Sequence, residues 1–537
     1  MYKRFLSIAI LILGISTGAR AQAPAGFEEF RRGLMENFNS FKNRILEHYA
    51  DFLAGEWHEY EPLEAESKYS VPKPESLPAA EELAIEEGDE KKKELLMTLG
   101  FRGTPTLDNE GRFKEPSIMG ALRDGSLLHQ SIALLPNKLD EEPQTEENAE
   151  EPGVETPREH PARQIMTGQG IVGETDEEVF GFYGMEFALP RVDFTIMDTI
   201  KGTLPFSQQW ERLSRDSVAE KLTPHILALQ KQTGLSDYLM FEMTMAYLDN
   251  RFSHANDASK MSAAHYLLAH MGFGVRIAID DNDEPFILLP FKEKVFGRAR
   301  IPLAKTYYVF GAPGRRDVKR VGLRSPYVPD NAEQGKDMDL RLAGLNLPEK
   351  KFHYDIVYDG LRLEGDLNEN VMPMLYRYPQ MDTSGFAASM VSPAVRKDVV
   401  RQVKEQLGDM EPLQAADRLL SMIQFGFPYA TDDNYHGFEK PYFFEEMLYY
   451  PKSDCEDRAV FFSYLLWNAL GLENDLITYP NHEATAIKAE SVWGGFDHYL
   501  RSGEKFFISD PTYQGAPTGQ CMPQYVGLEP GIDHSYH

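Results

Sequence analysis

Apolar residues recur at three- and four-residue steps through Phe27, Phe30, Leu34, Phe38, Phe41, Ile45, Tyr49 and Phe52. That is the helical period, and it predicts an amphipathic helix within residues 24–60 whose phenylalanine-rich stripe faces another part of the chain or a protein partner. The pattern then stops. Glu61 to Glu90 is rich in Pro, Glu and Ala, including Val71-Pro72-Lys73-Pro74, and reads as an extended spacer. Leu139 to Pro161 is almost entirely Glu, Asp, Pro and Thr. It has too little apolar surface to offset ordering entropy, which predicts a disordered, solvated loop. With a short β-like piece around Ser117 to Leu135 between them, residues 61–164 form a stretch of linkers.

Globular patterning resumes after residue 164. Phe180 to Phe194 reads as β-structure, and Trp210 to Leu248 as mostly helical, with Pro224 and Gly234 as expected breaks. Ser262 to Leu289 carries helix-like Tyr266-Leu267-Leu268, a stop at Gly272, and strand-like Val275 to Ile279 and Phe286 to Leu289. The same order returns as Tyr464-Leu465-Leu466, Gly471 and strand-like Leu476 to Tyr479. One reading is an internal repeat; the other is coincidence between two ordinary αβ units. Matching the tyrosines sets Asp257 opposite Cys455, and matching the glycines sets Asn256 there. Neither can act as a thiol nucleophile. Between the two copies, Phe352 to Tyr376 holds strand-like stretches, and Ala394 to Phe425 is helical with Pro412 as a dividing point. The expected fold class is α+β, with one domain over 165–345 (a candidate degenerate copy of the other) and a second over 346–537.

Composition narrows the function. The chain has 537 residues, 42% hydrophobic and 12% aromatic, with 84 acidic against 55 basic residues and a net charge of −29. That balance argues against nucleic acid or anionic lipid as a partner, since either would need a basic face. Lys3 and Arg4, the apolar run Phe5 to Ile15, and the small-residue sites Ala19-Arg20-Ala21 and Ala21-Gln22-Ala23 predict a signal peptide over residues 1–23. No apolar run is long enough to span a bilayer. The expected location is periplasmic or extracellular. An exported chain meets an oxidising compartment, yet this one has only Cys455 and Cys521. They are read either as one disulfide or as a reactive Cys455 beside an incidental Cys521.

The surroundings of Cys455 carry the chemistry. Ser453, followed three residues later by Glu456 ahead of an apolar run, has the form of a capping box. It predicts Cys455 in the first turn of a helix that runs buried from Ala459 to Leu470 and stops at Gly471. A thiol there meets free backbone N–H groups and the positive helix end, which lower its pKa, while Asp454, Glu456 and Asp457 oppose that. A base is therefore needed. His482 stands at the head of a strand after Leu476 to Tyr479, and a later strand, Lys505 to Ser509, ends at Asp510 before Pro511. Were those two strands antiparallel neighbours, Asp510 would lie beside His482 and hold its tautomer. His498 is the rival base. Cys and His lack close ligand spacing, His534 and His537 being a lone pair, and no phosphate-binding glycine loop exists; neither metal nor cofactor is expected.

Ser453-Asp454-Cys455-Glu456-Asp457-Arg458, then His482, then Ile508-Ser509-Asp510-Pro511-Thr512, resembles the transglutaminase-like superfamily of papain-like cysteine enzymes. Glu446-Met447-Leu448-Tyr449-Tyr450-Pro451 and Asp510-Pro511-Thr512-Tyr513-Gln514-Gly515-Ala516-Pro517 resemble, more narrowly, exported transglutaminase-domain proteins of Bacteroidetes. The resemblance covers about the last hundred residues. It implies thioester acyl transfer by a Cys455, His482, Asp510 triad on a protein or peptide substrate, with peptide or amide hydrolysis as the expected outcome. The His482-to-Asp510 interval, with Glu490 to Gly495 inserted, is longer than the superfamily's usual hairpin. The alternative is a catalytically silent scaffold that keeps the fold for binding.

Overall fold

A computed structural model of the protein describes residues 49–69, 72–74, 77, 79–80, 165–167, 177–313, 322–328 and 335–537. The expected signal peptide, the helical stripe before Tyr49, the β-like piece at Ser117 to Leu135 and the acidic run at Leu139 to Pro161 lie outside these residues. The described end of the first helix is Tyr49–Ala54. It does not reach residue 60, because Trp57–Tyr60 forms a strand, β1, along Leu323–Pro326. Of the stripe, Tyr49 is described and makes a core contact, stacking on Trp210 with ring centroids 4.6 Å apart.

Four helices, Leu204–Arg215, Val218–Thr233, Asp237–Arg251 and Asp257–His270, build the first half. Pro224 does not break the second of them. Val218, Leu222, Ile226 and Leu229 bury one face on either side of it, and that packing outweighs the missing backbone bond. The break falls earlier, at Ser217 with φ 53°. Gly234 ends this helix at φ 73°, and a Cβ there would lie 1.9 Å from the Gly344 carbonyl oxygen. Only glycine tolerates both.

The remaining strands are β2 (Ile165–Thr167), β3 (Glu177–Phe182), β4 (Met185–Pro190), β5 (Arg276–Ile279), β6 (Pro285–Pro290), β7 (Arg300–Pro302), β8 (Thr306–Phe310), β9 (Leu323–Pro326), β10 (Lys351–Tyr358), β11 (Leu361–Asn368), β12 (Asn474–Tyr479), β13 (His482–Lys488), β14 (His498–Arg501), β15 (Glu504–Ser509) and β16 (Gly531–Tyr536). One sheet is ordered β1-β9-β5-β6-β8-β7 and another β14-β15-β13-β12-β16, both antiparallel throughout. A hairpin, β10-β11, and a small sheet, β2-β4-β3, complete an α+β fold.

The Asp257 helix packs on β5 and β6, and the helix Cys455–Leu470 packs on β12 and β13. Helices Pro393–Leu407 and Pro412–Gly426 cover the latter's other side. Pro412 opens the second of these at a position whose N–H would go unpaired anyway. Phe461, Phe462, Leu465 and Leu466 are fully buried, each worth roughly 1.5–3 kcal/mol over exposure. The two halves share one contiguous apolar cluster from Tyr49 to Ile487. Residues 345 and 346 thus do not divide two independent cores. Among the described residues, no helix is long and apolar enough to cross a membrane.

Candidate functional site

The helix carrying Cys455 starts one residue later than the Ser453 capping pattern predicts. Asp454 is its N-cap, the Asp454 N–H donates to Asp457 Oδ2 at 3.0 Å, and Cys455 is the first helical residue. The reason is tertiary. The Ser453 backbone is extended, its N–H bonded to the Pro428 carbonyl and its own carbonyl to the Ala430 N–H. Its hydroxyl accepts from Arg458 Nε at 3.2 Å instead. Glu456, freed from capping, turns to the thiol: Cys455 Sγ donates to Glu456 Oε2 at 3.1 Å.

β12 and β13 meet across Pro480-Asn481, with Tyr479 opposite His482. β13 and β15 are antiparallel neighbours, Thr485 opposite Ser509. The head of one strand therefore lies beside the end of the other, and His482 Nε2 sits 2.7 Å from Asp510 Oδ2. An ionised carboxylate only accepts, so Nε2 carries a proton, and in the neutral imidazole the lone pair is then on Nδ1. Nδ1 is buried and has no partner among the described residues. The other Asp510 oxygen accepts the N–H groups of Thr512 at 2.8 Å and Tyr513 at 3.2 Å. Asp510 is thus both a turn residue and the histidine's partner. His498 is exposed on the edge strand β14, its Nδ1 against the Phe496 carbonyl at 2.7 Å, with β15 between it and β13. Cys455 and Cys521 are both free, which removes the disulfide reading.

Two residues that sequence reasoning left out, together with Arg458 of the quoted motif, hold this frame. Gln424, from helix Pro412–Gly426, donates to the carbonyls of Asp510, Tyr513 and Ala516 at 2.8–3.0 Å and accepts the Gly515 N–H at 3.0 Å. Tyr525 stacks on His482, centroids 5.4 Å apart and planes within 4°, and donates to Asn481 Oδ1 at 2.6 Å. Burial first, and then the charge Cys455 would carry, push the Tyr525 hydroxyl up to about 12. Buried Arg458 spends its guanidinium on Ser453 and on the carbonyls of Phe427 and Pro511. It braces the site.

Electrostatics overturn one expectation. The net Cys455 pKa is not lowered: burial raises it well above the ordinary thiol value, and the Glu456 and Asp454 charges raise it further, with Lys73 opposing. Both Cys455 and His482 are 0% exposed. The covering element is the supposed spacer. Lys73 places its ammonium 2.5 Å from Glu456, 2.6 Å from Asp454, 2.8 Å from Glu439 and 3.7 Å from Asp432. Lys68 pairs with Glu483 at 2.6 Å and bonds Thr383, and the buried Tyr69 hydroxyl donates to the same carboxylate at 3.2 Å. Burial alone raises the Glu456 carboxyl, but Lys73 and then Lys68 hold it well below its usual range. Asp454 and Asp457 are pushed well up by burial and by neighbouring carboxylates. Asp432, Glu439 and Glu456 offer oxygens within 4.8 Å of one another, as do Asp432, Asp454 and Asp457, so a cation is what this corner accommodates. The cation found there is Lys73.

Nothing in the spacing of Asp432, Glu439 and Lys73 marked them as one cluster. The available signal was weaker: Lys73 stands between Pro72 and Pro74 in a stretch otherwise dominated by glutamate. No family model, no curated protein and no solved structure matches the chain.

Proposed function

We propose that the C-terminal half of this protein is a transglutaminase-like cysteine acyl-transfer domain acting as a peptide or amide hydrolase, working in the exported location expected from its first residues. The observation that carries the reading is the buried pair His482 Nε2 and Asp510 Oδ2 at 2.7 Å with His482 Nδ1 left unpartnered. A free, oriented imidazole nitrogen and a helix-end thiol, both buried, are the parts a thiol nucleophile requires.

In this mechanism His482 Nδ1 takes the Cys455 proton, and the thiolate attacks the substrate carbonyl. Asp510 stabilises the imidazolium, which then protonates the leaving amine as the C–N bond breaks. A water, deprotonated by the same nitrogen, hydrolyses the thioester and frees Cys455. The Cys455 backbone N–H is one oxyanion donor. In the observed state the thiol proton lies toward Glu456 and its pKa is high, so this conformation is resting and catalysis needs the thiol turned to His482.

The silent-scaffold reading has one observation in its favour, the complete burial of Cys455. Turnover of a peptide library, read by mass spectrometry, separates the two. The enzyme reading expects hydrolysis that falls by at least about a thousandfold in Cys455→Ala. Equal turnover by that variant would discard the nucleophile assignment, and none by either protein favours the scaffold.

A further inference from the structure

The segment over Cys455 is held the way a substrate peptide is held. The Pro72 carbonyl accepts from Asn481 Nδ2 at 3.1 Å, and the Pro74 carbonyl accepts from the Tyr429 hydroxyl at 2.8 Å. Further along, the Ala80 N–H donates to the Gln514 carbonyl at 2.9 Å. Asn481 precedes His482, and Gln514 follows the Asp510 turn. Hydrogen bonds to the main-chain carbonyls of Pro72 and Pro74 hold the segment while one pocket reads the side chain between them, the division of labour of peptide recognition. The prolines on either side of Lys73 restrict the backbone and cut the entropy lost on binding.

The pocket is expensive. Glu456 and Asp454 flank the nucleophile, both fully buried, and with Asp432 and Glu439 they meet a single ammonium whose side chain is 6% exposed. Asp454 Oδ1, in the same group, is buried with no partner among the described residues. Collecting buried carboxylates costs stability that an apolar contact would not. A structural strap has no need of such a pocket, whereas a site that selects a cationic side chain does.

We propose that the Asp432, Glu439, Asp454 and Glu456 pocket is a specificity subsite for the lysine side chain of an extended peptide substrate, and that Lys73 fills it as a built-in competitor. The proposal rests on the cysteine acyl-transfer reading for what happens after binding, but not for the binding itself. Lys68 and Tyr69 on Glu483, next to His482, and Lys73 on Glu456, next to Cys455, pin the segment on both sides of the site. While it is bound, the thiol is closed to substrate. A lysine-bearing peptide that displaces it meets the same carbonyl grips and the same pocket.

The test uses the full chain and the rate of Cys455 alkylation by iodoacetamide, which needs no turnover. Lys73→Ala is expected to raise that rate by at least about tenfold over the unmodified protein, because local opening then governs access, while Lys73→Arg keeps it slow. A synthetic peptide of sequence 69–75 should protect Cys455 in Lys73→Ala, and its norleucine-for-lysine counterpart should not. An unchanged alkylation rate in Lys73→Ala, or equal protection by the two peptides, overturns the proposal. Should Lys73→Ala fail to fold, Tyr429→Phe, which removes only the grip on Pro74, must raise the rate instead, and no rise there is equally fatal. Selective protection without cleavage of the lysine peptide would leave the subsite standing and sink the hydrolase reading, so the two failures are distinct.

Discussion

The Asp257 helix and the Cys455 helix open two units with the same plan and opposite content. Each runs helix, strand, strand, edge strand, strand, and the sheet orders correspond position by position: β9-β5-β6-β8-β7 against β16-β12-β13-β15-β14. Asp257 and Cys455 are each the first helical residue, as matching the two tyrosines requires. The agreement in order extends across five strands. The strand heads differ, Pro285 against His482, and so do the residues that end the fourth chain segment, Gly311 against Asp510.

The helix N-termini differ most. In the first unit Asn256 accepts from Ser259 and exchanges bonds with both backbone groups of Ile200, and one lysine, Lys260, pairs with Asp249 and Asp257 beside it. In the second, a thiol, several buried acids and a borrowed lysine crowd the same place. His265, the buried histidine of the first unit, packs against Trp210 with the rings tilted and is held down to about 3 by burial. It is packing material. The comparison teaches that one frame accommodates two different contents, and that the proposed chemistry depends on a few residues at one helix end and two strand ends.

Breaking the comparison begins with those residues. Asp510→Asn should lower turnover by on the order of 10²–10⁴-fold, since the amide can hold the wrong tautomer of His482. Asp257→Ala, at the Cys455 position of the first unit, should leave turnover within about twofold. Comparable losses in steady-state assays would mean that the first unit also carries chemistry. A middle-sized effect tests what the units share. Leu268→Ala and Leu466→Ala empty equivalent buried helix positions and should each cost about 2–5 kcal/mol. Because the core is continuous, denaturant unfolding should stay a single transition in both; an early separate step in Leu268→Ala would show two independent domains.

The smallest effect is in pH. Glu439 is pushed up to about 8 and Asp432 to about 6, in both cases by burial first, with Glu456 adding and Lys73 opposing. A carboxyl with a raised folded pKa binds its proton more tightly in the folded state. Its contribution is present below the ordinary value of 4.5 for Glu439 and is lost as pH rises through about 8. The melting temperature should therefore decline between about pH 5 and pH 8.5, and Glu439→Gln should flatten that decline. An unchanged slope would remove Glu439 from the acidic corner.

Much of the fold was legible because its signals are local. The apolar run after Cys455, the Gly471 stop and the order of strands around His482 and Asp510 follow from period and punctuation over a few residues. Errors arose where a distant contact outweighed a local rule. Ser453 is a good cap by type, but its pairing with Pro428 and Ala430 makes it extended and hands the cap to Asp454. Pro224 should break a helix, but a buried face carries the helix past it. The cover on the thiol was illegible for the same reason: Lys73 meets Asp454 and Glu456 across 381 and 383 residues of sequence.

By itself, then, the sequence determined the α+β elements, the order of Cys455, His482 and Asp510, and a thiol at the start of a buried helix. All of these depend on residue type and near-neighbour spacing. Tertiary structure alone decided that Asp510 is bonded to His482, that Gln424 and Tyr525 hold the site, and that the thiol is neutral, buried and covered by Lys73. Those outcomes depend on which charges and dipoles share one desolvated volume, and that is set by how the chain returns on itself.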